Sequence, residues 1–130
     1  MSGPIMLIDD DYIDVMTVQR AMHDSAIEKE LLIAGNGEEA LEMLRSEKNK
    51  IPCIILLDIN MPIMNGIEFL EEIKADEELR SIPAIVLSTS EHDQDKIALF
   101  NLSIAAYMVK PASYPRFVEM FRRIKAYWQL

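Results

Sequence analysis

Four apolar runs in this chain end in acid, acid, hydroxyl and ammonium. Ile5-Met6-Leu7-Ile8 is followed by Asp9, Asp10 and Asp11, and Cys53-Ile54-Ile55-Leu56-Leu57 by Asp58. Ala84-Ile85-Val86-Leu87 leads into Ser88, Thr89 and Ser90, and Ala105-Ala106-Tyr107-Met108-Val109 into Lys110-Pro111. Carboxylates brought together repel one another unless a cation or protons neutralise them. With oxygen donors and no convergent His or Cys, the suitable cation is hard: Mg²⁺, or Mn²⁺. A lysine and a hydroxyl beside them can hold phosphate oxygens. Together these groups suit the neutralisation of a phosphoryl group in transfer. Asp58 is then available as a nucleophile that forms an acyl phosphate. An acid after a strand often only caps the next helix, and each cluster alone is open to that reading. The ordered set of four outweighs it.

Strand-like and helix-like patterns alternate along the chain and would bring these clusters together. After Asp11, which could cap a helix, Tyr12, Val15, Met16 and Met22 recur at helical spacing, with Gln19 as the polar exception. Glu30 to Ala34 reads as a short strand closed by the turn signal Gly35-Asn36-Gly37, and Ala40, Leu41 and Leu44 mark a second helix. The run 53–57 is apolar throughout, as in a parallel strand covered on both faces. Gly66 opens a third helix with Phe69, Leu70 and Ile73, and Pro83 precedes the strand at 84–87. Asp93 to Leu102 gives a fourth helix anchored by Ile97 and Phe100. A last helix from about Ser113 carries Phe117, Phe121, Ile124 and Trp128, with Pro115 tolerated in its first turn. A β-α unit repeated about five times predicts an α/β fold, a parallel sheet with helices on both faces. Ligands of such sheets bind outside the carboxyl ends of the strands, where all four clusters fall.

A chain of 130 residues is long enough for one domain with a single core. No run approaches a membrane span, and no basic region with an apolar segment marks a signal peptide. The single cysteine, Cys53, excludes an internal disulfide and fits a reducing cytoplasm, its role being that of a small apolar strand residue. The formal net charge of −9 argues against nucleic-acid binding. Arg122, Arg123 and Lys125 read as the solvated face of the last helix. His23 and His92 belong to no metal-spacing motif, and Tyr127 and Trp128 are interface or core candidates near the terminus.

The ordered set Ile8-Asp9-Asp10, Leu57-Asp58-Ile59-Asn60-Met61-Pro62, Leu87-Ser88-Thr89-Ser90 and Tyr107-Met108-Val109-Lys110-Pro111 resembles the receiver domain of two-component response regulators, over residues 1–130. Ile82-Pro83-Ala84-Ile85-Val86-Leu87-Ser88-Thr89-Ser90 resembles the stand-alone, phytochrome-associated type. The resemblance implies a doubly wound, flavodoxin-like (βα)5 fold with strand order 2-1-3-4-5. It implies that Asp58 takes a phosphoryl group from a phosphohistidine on a sensor histidine kinase or a phosphotransfer protein. Mg²⁺ is implied at Asp10, Asp58 and the backbone carbonyl of Asn60, with Asp9 acting mainly through water. Ser88 and Lys110 are implied to hold the phosphoryl group, with Ser88 and Tyr107 as the switch pair and a cis Lys110-Pro111 peptide. Asn60, Thr89 and Ser90 occupy positions that gate access or tune acyl-phosphate lifetime. Ser103 departs from the pattern, standing where many receivers have glycine after the fourth helix, and disfavours a left-handed cap there. The implied output face is the fourth helix, fifth strand and fifth helix. With no output domain expected, that face would be read by another protein or a second copy of the chain.

Three other readings fit less well. A haloacid-dehalogenase-type phosphatase wants a second aspartate two positions after the first, where this chain has Asn60. An FMN carrier of the same architecture wants a Ser/Thr/Gly-rich loop where Asp9-Asp10-Asp11 would repel phosphate, and no Gly-rich P-loop is present. A scaffold that is never phosphorylated would have little use for the intact acid, hydroxyl and lysine set.

Overall fold

The computed structural model describes residues 3–46, 51–58, 64–88 and 99–130. Strands β1 (Ile5–Ile8), β2 (Leu31–Ala34), β3 (Ile54–Asp58), β4 (Ala84–Ser88) and β5 (Ala106–Val109) form one parallel sheet in the order β2-β1-β3-β4-β5. Helices α1 (Tyr12–Asp24), α2 (Gly37–Arg45) and α3 (Gly66–Ala75) follow the first three strands. Of α4, between β4 and β5, residues 99–101 are described, and α5 (Tyr114–Trp128) follows β5. The alternating pattern predicted the parallel sheet, and the doubly wound, flavodoxin-like strand order is the one the resemblance implies.

Period-two alternation divides the central strands between two cores. Met6, Ile8, Ile55, Leu57 and Val86 pack with α2 and α3 through Leu41, Phe69, Leu70 and Ile73. Ile5, Leu7, Ile54, Leu56, Ile85 and Leu87 pack with α1 and α5 through Val18, Met22, Phe117 and Phe121. β1, β3 and β4 are therefore apolar on both faces, which is why their sequences read as continuous runs.

Helix starts follow the capping residues. Asp11 accepts from the Ile13 amide, Asn36 from the Glu39 amide and Ser113 from the Arg116 amide, while Asn65 and Glu68 form a capping box. A Cβ added to Gly37 would lie 3.0 Å from Phe69 Cβ, so glycine lets the start of α2 approach α3 closely. α1 and α5 are joined by polar contacts as well. The Tyr114 hydroxyl donates to Asp24 at 2.6 Å, the Arg20 guanidinium lies 4.2 Å from the Tyr114 ring centroid, and Lys125 Nζ donates to the carbonyls of Ser25 and Ala26.

Some expectations are corrected and others are met. The buried stripe of α1 is Val15, Val18, Ala21 and Met22, whereas Tyr12 and Met16 are exposed. Phe100 is 54% exposed, and its neighbour Leu99 takes the core position; Ile97 lies outside the described residues. Ser103 does adopt a left-handed φ of 56°, despite its side chain. Cys53 is buried, immediately before β3. Trp128 packs against the α1/α5 core while Tyr127 remains exposed. His23 is an exposed neighbour of Asp24, and His92 lies outside the described residues. No helix among the described residues is long and apolar enough to cross a membrane.

Candidate functional site

Register fixes where each polar residue emerges. Ile8 aligns with Leu57, so Asp9 and Asp58 are the next residues out on the two neighbouring strands β1 and β3. Asp58 aligns with Leu87, placing Ser88 one step further along β4, and Ser88 aligns with Val109, placing Lys110 a step beyond that. β1 and β3 flank the point where the strand order reverses, the crevice in which open α/β sheets take their ligands.

Carboxylate oxygens of Asp9, Asp10 and Asp58 all lie within 4.8 Å of one another. Asp9 is buried, Asp10 exposed and Asp58 half-buried, so the cluster is open on one side. Asp9 Oδ1 accepts from the Asp11 amide at 2.9 Å, which fixes the carboxylate as the chain turns into α1. Lys110 Nζ is 3.5 Å from Asp9 Oδ2 and 2.9 Å from Asp14 Oδ2. Ser88 is buried at the end of β4, and its carbonyl accepts from the Lys110 amide at 2.7 Å. Tyr107 is half-buried on β5 and packs against the α2/α3 core.

Burial is the main cause that pushes the Asp9 carboxyl up to about 6 from an ordinary 3.8. The charges of Asp14 and Asp58 add to the rise, while the Asp11 amide and the Lys110 ammonium restrain it. For Lys110, burial alone would favour the neutral amine. The hydrogen bond to Asp14 and the charges of Asp9, Asp14 and Asp58 outweigh it, so the ammonium sits above its ordinary range. One cation thus faces several acids, and the excess negative charge is what a hard divalent ion would neutralise. The donors are all oxygen, partly solvated and free of His or Cys, which fits Mg²⁺ or Mn²⁺.

The structure brings together Asp9, Asp10, Asp58 and Lys110, and places Ser88 and Tyr107 on the adjoining strands. Asn60, Thr89 and Ser90 lie outside the described residues. The Lys110-Pro111 peptide departs from expectation: it is trans, as are all peptides among the described residues. Proline narrows the preference for trans but does not abolish it. Sequence reasoning missed Asp14. It lies in the first turn of α1, four residues before buried Val18, so it extends the buried stripe towards the acidic cluster.

The chain matches the response regulator receiver domain family over residues 5–122. It is 34% identical to the response regulator Rcp1 of Synechocystis sp., over 95% of this chain and 87% of that protein. Among solved structures, the phosphorylated cyanobacterial phytochrome response regulator RcpA superposes with a TM-score of 0.90 at 32% identity, covering 99% of this chain and 95% of that one. The Mn²⁺-bound form of Rcp1 gives 0.87 at 34% identity, with 98% and 94% covered. Receiver domains bind Mg²⁺ or Mn²⁺ at such an acidic pocket. The chain belongs to the response regulator receiver domain family, the phosphorylation-based switches of two-component signalling.

Proposed function

We propose that Asp58 is the phosphoacceptor of a switch charged by a histidine kinase or a phosphotransfer protein. The observation that carries this reading is the convergence of Asp9, Asp10 and Asp58 within 4.8 Å, with Lys110 on the same cluster. An Asp58 carboxylate oxygen attacks the phosphorus of a phosphohistidine. A P–O bond forms as the P–N bond breaks, and the imidazole nitrogen leaves with the electron pair and takes up a proton. Lys110 neutralises charge on the transferring group, and the Ser88 hydroxyl donates to one of its oxygens. Asp10, Asp58 and the carbonyl of Asn60, which lies outside the described residues, would hold Mg²⁺, with Asp9 acting through water, and the ion would supply further neutralisation. The acyl phosphate carries close to two negative charges where the carboxylate carried one, and Ser88 and Tyr107 relay the change to the face of α4, β5 and α5.

That face has features suited to a protein partner. A cavity of about 450 Å³ lies along β5 and α5, lined by Met108, Val109, Pro111 and Met120 with charged Arg116, Glu119 and Arg123. Exposed Tyr127 lies at the end of α5. The reader of the phosphorylated state is a protein, or a second copy of this chain, in the cytoplasm. Neither direct nucleic-acid contact nor enzymatic turnover of an external substrate is part of this reading.

Incubation with acetyl phosphate and Mg²⁺ should label the wild type and leave Asp58→Asn unlabelled. Full labelling of the variant, or none of the wild type with any donor, would overturn the proposal. The output face is tested separately with a beryllofluoride mimic. It should change self-association by sedimentation, or affinity for the cognate partner, and Tyr107→Ala should blunt the change. Identical sedimentation and identical partner binding with and without beryllofluoride would reject that face.

A further inference from the structure

Lys110 is held by a residue that the acidic cluster does not require. The Lys110 side chain is 12% exposed, and its shorter ion pair, at 2.9 Å, is to Asp14 rather than to Asp9 at 3.5 Å. Asp14 belongs to α1 and Lys110 follows β5, so the pair joins two elements 96 residues apart. An ammonium has three donors and no acceptor. A phosphoryl oxygen that engages Lys110 shares the ammonium with Asp14, which holds one of its donors in a charge-assisted hydrogen bond. The phosphoryl group also brings further negative charge to the ammonium that Asp14 holds, and the two anions repel each other across it.

Resting on the reading of Asp58 as phosphoacceptor, we infer that Asp14 is a positioning residue for Lys110. It anchors the ammonium on the α1 side of the pocket before phosphorylation and gives it up to the phosphoryl group afterwards. The Lys110–Asp14 pair is thus a latch that phosphorylation opens. It sets the affinity of the pocket for the phosphoryl group. It also ties the start of α1, with its exposed Tyr12, Ile13 and Met16, to the end of β5 only in the unphosphorylated state.

The test uses the Mg²⁺-loaded full chain with isotope-labelled lysine and aspartate, followed by NMR and titrated with beryllofluoride. In the wild type, beryllofluoride should move both the Lys110 Cε/Nζ resonance and the Asp14 Cγ resonance. In free Asp14→Asn the Lys110 resonance should already lie towards its beryllofluoride-bound position, and beryllofluoride should bind roughly fivefold tighter, the value of a partly exposed ion pair. Asp14→Glu should restore the wild-type resonance and affinity. An unmoved Asp14 signal in the wild type, or tighter binding in Asp14→Asn with no shift of free Lys110, would overturn the latch; the latter would mark a simple loss of negative charge. A wild type that binds no beryllofluoride would instead overturn the phosphoacceptor reading, and the latch with it.

Discussion

Asp9→Asn is expected to stabilise the metal-free protein by about 2–3 kcal/mol at neutral pH. The Asp9 carboxyl is raised to about 6 in the folded protein, chiefly by burial, against an ordinary 3.8. Between those values the folded state binds more protons than the unfolded state. Stability is therefore fully present below the ordinary value and is lost as pH rises through about 6. Asparagine keeps an oxygen for the Asp11 amide but carries no charge to desolvate. Urea unfolding in EDTA, from about pH 4 to about pH 7.5, should show the two proteins nearly equal at the acid end and the variant ahead at neutrality. Added Mg²⁺ should raise the stability of the wild type more than that of Asp9→Asn. A gap that does not change with pH would show that Asp9 is not the buried, costly acid described above.

Phe69→Ala should cost about 3–5 kcal/mol, because it empties a fully buried aromatic site. For a domain of this size the midpoint of thermal unfolding should fall by roughly 10–20 °C. Phe69 packs α3 against the strand face that carries Ile55 and Leu57, and it sits where glycine alone lets α2 approach. The loss should therefore loosen the layer that supports β3 and Asp58. Phe100→Ala is the control: with Phe100 54% exposed, its removal should change stability by less than about 0.5 kcal/mol. Comparable losses from both variants in calorimetry would contradict the division between core and surface.

Why one aromatic is core and the other is not was only partly legible in the sequence. β1, β3 and β4 announced themselves because burial on both faces makes a strand uniformly apolar, and the polar residue that ends such a run stands out. Helices are harder, since a few methionines and aromatics at the right spacing fit more than one rotation. On α1, Tyr12 and Met16 completed an apolar pattern that the packed helix does not use, its buried stripe being Val15, Val18, Ala21 and Met22. That difference in rotation hid Asp14. Strand alternation offered a second clue: Asp9, Asp58 and Lys110 follow the parity of Leu7, Leu56 and Met108, all on the α1/α5 side. The three site residues thus project towards α1, where an acid in its first turn could meet the lysine. The trans Lys110-Pro111 peptide had no local signal at all, because proline permits both isomers.

Asp58 as the site of the acyl phosphate is tested most directly by borohydride reduction of the protein after labelling with acetyl phosphate and Mg²⁺. Reduction converts an aspartyl phosphate to homoserine, which peptide mass spectrometry can place. Homoserine at position 58 is the expected result. Homoserine at Asp9, Asp10 or Asp14 instead, or a reduction-resistant phosphate on Ser88, would contradict it.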